Sequence, residues 1–90
     1  MSKLKVNVGD VELNFNVSND DFNQYINEQL PHDKVGPGFN FLSRTVVDDD
    51  RENFKKALVL NDKPKGILVM QVAGLLAGEF GGEVKISLKK

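Results

Sequence analysis

Between Lys65 and Glu79 the chain carries no charged side chain. The run reads Gly66-Ile67-Leu68-Val69-Met70-Gln71-Val72-Ala73-Gly74-Leu75-Leu76-Ala77-Gly78, thirteen residues with Gln71 as the one polar side chain. In a chain of 90 residues few other elements exist to cover such a segment. It is therefore either the central helix of the core or a surface kept for a partner. It falls short of the roughly 20 apolar residues a membrane-spanning helix needs, and its glycines weaken that reading further. It contains no nucleophile, acid or base, which points toward packing or binding and away from catalysis.

The rest of the composition narrows the alternatives. Ninety residues predict a single domain, 1–90. With no cysteine, the chain has no disulfide, thiolate nucleophile or Cys-based zinc site, which suits a reducing compartment. A formal net charge of −1 gives no electrostatic case for nucleic acid or an anionic membrane. The start, Met1-Ser2-Lys3-Leu4-Lys5, leads straight into alternating residues with no apolar signal-peptide core, so the expected location is the cytoplasm.

The first seventeen residues predict a β-hairpin. Leu4, Val6 and Val8 alternate with polar residues, as do Val11, Leu13, Phe15 and Val17. Gly9-Asp10 between them suits a two-residue turn of the II′ or I′ kind. That turn pairs Val8 with Val11, Val6 with Leu13 and Leu4 with Phe15, and opposed residues share a face. Every apolar side chain then falls on one side, which a one-residue slip would destroy.

Helices follow. Ser18, with Asp21 three residues on, predicts an N-cap, and Asp20 and Asp21 suit the positive end of a helix dipole. Phe22, Tyr25, Ile26 and Leu30 make one helical stripe, stopped by Pro31. Residues 32–38 read as a breaker-rich loop. A second helix is expected over Phe39–Val46, with Phe39, Leu42 and Val46 inward. A third starts at Asp48-Asp49-Asp50, with Phe54, Ala57 and Leu58 inward. Asn61-Asp62-Lys63-Pro64 reads as a break before a helix over about 64–80. Gly81-Gly82 ends that helix, and Val84, Ile86 and Leu88 alternate in a final strand. The order ββααααβ predicts a small α+β two-layer domain. Its hairpin and C-terminal strand would form an antiparallel or mixed three-stranded sheet packed by about four helices.

On a wheel of 100° per residue, Leu68, Val69, Val72, Leu75, Leu76 and Phe80 fill a broad arc of about 140°, with Glu79 at its edge. The opposite arc holds Ile67, Met70, Gln71, Gly74, Ala77 and Gly78. The large-residue arc is expected on the sheet. The small-residue arc allows close approach of another backbone, either from the helices at 19–30 and 39–60 or from a partner. The candidate partner-binding set is Val35, Pro37, Phe41, Ile67, Met70 and Gly74, around a groove between the two segments.

No catalytic, cofactor or metal site stands out. His32-Asp33 reads as an exposed loop pair, with Ser18 a cap and Ser43 a helix-surface residue. Asp48-Asp49-Asp50 with Glu52 lacks the ligand spacing and central glycine of a calcium loop. Lys63-Pro64-Lys65-Gly66 lacks the phosphate-loop pattern. The basic residues are scattered among acids, which argues against nucleic acid.

Several segments together carry a family likeness. They are the Lys-rich first strand turning at Gly9-Asp10, Asn23-Gln24-Tyr25-Ile26-Asn27, the stretch Val35 to Leu42, and Gly74-Leu75-Leu76-Ala77-Gly78-Glu79-Phe80 followed by a basic strand. The chain resembles small phage tail assembly chaperones over nearly its whole length. That resemblance implies a non-catalytic protein that works in the host bacterial cytoplasm. It implies binding to the tape-measure protein, or to tail-tube components, during assembly of a long tail. It also implies absence from the finished particle and, in many relatives, a longer form made by ribosomal frameshifting. The alternative is a structural minor tail protein of the virion. Homo-oligomerisation stays open in either case.

Overall fold

The alternation over the first seventeen residues produces the hairpin it predicts. In the computed structural model, which describes residues 2–81, 88 and 89, β1 (Ser2–Val8) and β2 (Val11–Val17) pair antiparallel. The register is Leu4 with Phe15, Val6 with Leu13 and Val8 with Val11. Gly9 has a φ of +61° while Asp10 does not take a positive φ, as a type II′ turn requires. Val6, Leu13, Phe15 and Val17 are buried, and Leu4, Val8 and Val11 pack partly against the same core.

The outer edge of β2 is closed by the chain itself. Val47 N–H donates to the Asn14 carbonyl at 2.9 Å, and Val46 bridges Phe15. The Asp50 carboxylate accepts from both the backbone and the side-chain amide of Asn14, at 2.8 and 2.9 Å. An open strand edge is a template for unwanted pairing, so these contacts protect β2. They also give Asp50 a structural task that the sequence does not announce.

Helix α1 (Asn19–Glu28) begins with the expected cap. Ser18 and Asp21 form a reciprocal capping box, the Ser18 hydroxyl accepting from Asp21 N–H at 3.0 Å. The helix ends two residues earlier than expected, at Glu28. Leu30 then bridges Asp33 across a tight turn at Pro31-His32. Consequently only Tyr25 of the predicted stripe is buried and Phe22 is half-buried, whereas Ile26 and Leu30 are exposed.

Helix α2 (Val35–Thr45) differs more from expectation. It begins four residues before Phe39, inside the supposed loop. Pro37 falls in its first turn, where a missing N–H breaks no intrahelical bond, so this proline does not stop the helix. The Asp33 carboxylate accepts from Gly36 N–H at 3.0 Å and serves this helix start. Arg44, near its other end, reaches Glu28 at 3.3 Å and the Asp21 carbonyl at 3.2 Å, tying α2 to α1.

A 3-10 turn at Asp48–Asp50 leads into α3 (Arg51–Leu58), whose Phe54 and Leu58 are buried. The supposed break at 61–64 is a second, minimal hairpin. It pairs β3 (Val59–Leu60) with β4 (Lys63–Pro64). Asn61 and Asp62 both take positive φ, 52° and 63°, as a type I′ turn requires and as Asn and Asp tolerate. Helix α4 (Gly66–Gly81) follows.

The protein is thus α+β. Among the described residues it has four helices and two separate two-stranded sheets, where a single three-stranded sheet was expected. The expected final strand falls largely on Val84–Ile86, outside the described residues, while Leu88 is exposed and not in a strand. Helices α2 and α3 pack against β2 and α4 against β1, enclosing one core that includes Leu13, Phe15, Phe41, Leu42, Leu58 and Leu76.

Candidate partner-binding surface

Helix α4 supplies four of the fourteen buried core residues with one side and solvent-facing surface with the other. Val69, Val72, Ala73 and Leu76 are buried, and Leu68, Met70, Ala77 and Phe80 partly so. Ile67, Gln71, Gly74, Leu75 and Gly78 are exposed. Their spacing of four, three, one and three residues is that of a single helical face. From Ile67 to Gly78 the face has no charge, exposed Glu79 stands at its edge one turn beyond Leu75, and Ile67 is 78 % and Leu75 59 % exposed. Beside Leu75 lies a cleft of about 390 Å³ between α4 and β1, lined by Lys3, Leu4, Lys5, Leu75, Leu76 and Glu79 among others.

The buried arc is turned by about 40° from the large-residue arc read on the wheel. Helix α2 accounts for this. A Cβ at Gly38 would sit 3.3 Å from Val69 Cγ1, 3.8 Å from Ala73 Cβ and 3.9 Å from Met70 Sδ. Close approach at Gly38 draws Val69, Met70 and Ala73 inward and leaves Leu75 outside. The glycine that lets these two helices meet therefore belongs to α2. At Gly74 and Gly78 an added Cβ would meet nothing within 4 Å. Glycine inside a helix costs about 0.8–1 kcal/mol relative to alanine, and no internal contact offsets that cost at these two positions.

The six residues singled out in the sequence go to different places. Phe41 is fully buried and stacks on Tyr25 with ring centroids 4.6 Å apart. Pro37 is buried too. Val35 is half-buried, its Cγ2 only 3.2 Å from where a Gly66 Cβ would lie. Met70 is half-buried, near Gly38. Only Ile67 and Gly74 lie together on the exposed face. At Gly38 the 35–42 segment and α4 meet directly, so no groove separates them there. Leu75 was missed, because next to Leu76 nothing in its chemistry says which of the two turns inward.

The polar candidates have structural partners. Arg51 reaches Asp48 at 3.4 Å and the Ser43 carbonyl at 3.2 Å, and Asp50 holds Asn14. Asp33 is held by Gly36, and His32 is exposed. Among the described residues no group of three or more His, Cys, Asp or Glu is placed to hold a metal ion, and no helix is long and apolar enough to cross a membrane.

The family model for phage tail assembly chaperones matches residues 4–90. The chain belongs to that family. Comparison with curated proteins and with solved structures gave no match. In this tail assembly chaperone the uncharged face formed by Ile67, Gln71, Gly74, Leu75 and Gly78 is the candidate partner surface.

Proposed function

We propose that this tail assembly chaperone is a non-catalytic holding protein that binds apolar helical surface of the tape-measure protein in the host bacterial cytoplasm. The observation that carries the reading is the outer face of α4: uncharged, with Ile67 and Leu75 well exposed and two glycines that serve no internal contact. A client helix laid along this face would bury Ile67 and Leu75, and its backbone could approach closely at Gly74 and Gly78. Val35 and Met70 border the contact. Pro37 and Phe41 act from inside, by holding α2 in place.

Co-expression with the tape-measure protein tests this. The wild-type chain is expected to be retained with it and to raise its soluble yield. Ile67→Asp combined with Leu75→Asp is expected to abolish both effects while leaving the circular dichroism spectrum intact. Retention equal to wild type would overturn the assignment of this face. No retention by the wild-type chain would overturn the client. Detection of the chain in stoichiometric amount in purified particles would favour a structural tail protein instead.

A further inference from the structure

We draw no further inference here: the strongest candidate, the cleft of about 390 Å³ between β1 and α4 lined by Lys3, Lys5, Leu75 and Glu79, opens at Leu75 onto the partner surface already described, and nothing among the described residues shows what covers it.

Discussion

The β1–β2 hairpin and helix α4 are both built from regular, strongly apolar patterns, yet they use them differently. In the hairpin, apolar and polar residues alternate, so one face can only be buried and the other only solvated. The pairing of Leu4 with Phe15, Val6 with Leu13 and Val8 with Val11 follows, and the edge of β2 is closed by Val47 and Asp50. In α4 the residues between Gly66 and Gly78 are apolar all round except for Gln71, and one polar residue does not make a polar face that says which side turns inward. Its orientation is set from outside, by Gly38 of α2. The hairpin spends its whole apolar set on the fold. Helix α4 divides its own between the fold and an exposed face, and a surplus of apolar residues is where a binding function can reside.

The sharpest way to break this contrast is truncation of one large side chain in each region. Phe15 is fully buried, and Phe15→Ala is expected to cost about 3–5 kcal/mol in urea unfolding. That is a large part of the total stability of a domain this size, about 5–15 kcal/mol for proteins generally. Leu75→Ala on α4 is expected to stay within about 0.5 kcal/mol of wild type. A comparable loss at Leu75 would mean that the outer face of α4 is part of the core.

The same contrast explains what could be read in advance. Period-two alternation and the Ser18–Asp21 spacing encode their structures locally, so the hairpin register and the first helix cap were legible. The helical extension to Val35 was not, because Pro37 reads as a breaker unless it is known to lie in a first turn. The Asn61-Asp62 hairpin was hidden for a similar reason: each strand is only two residues long, too short for any period to show. Of the candidate surface, Ile67, Gln71, Gly74 and Gly78 were legible from the wheel. Leu75 was not, because its exposure depends on a tertiary contact at Gly38.

That contact gives the next test. Gly38→Val would place its branched side chain against Val69 Cγ1, already 3.3 Å from the Cβ position. Both helices contribute to the core and cannot separate freely, so overpacking is expected to cost about 1–3 kcal/mol. If α2 gives way, α4 should also rotate, and the exposure of Leu75 should fall. Hydrogen–deuterium exchange along α4 would register that change. Unaltered stability in Gly38→Val would remove Gly38 as the element that orients the helix.

The smallest effect is the most specific, because it has the opposite sign. Gly74 lies mid-helix on the outer face, with nothing within 4 Å of an added Cβ. Gly74→Ala therefore gains helix propensity without a clash and is expected to stabilise the fold by about 0.8–1 kcal/mol. The urea midpoint should rise by about 0.3–1 M at the slopes usual for small domains. The same methyl group stands where a partner backbone would approach, so tape-measure retention is expected to fall as stability rises. Opposite movement of the two readouts separates a glycine kept for binding from one kept for folding. A parallel rise in both would show that close approach at Gly74 is not required, and the partner surface would then reduce to Ile67 and Leu75.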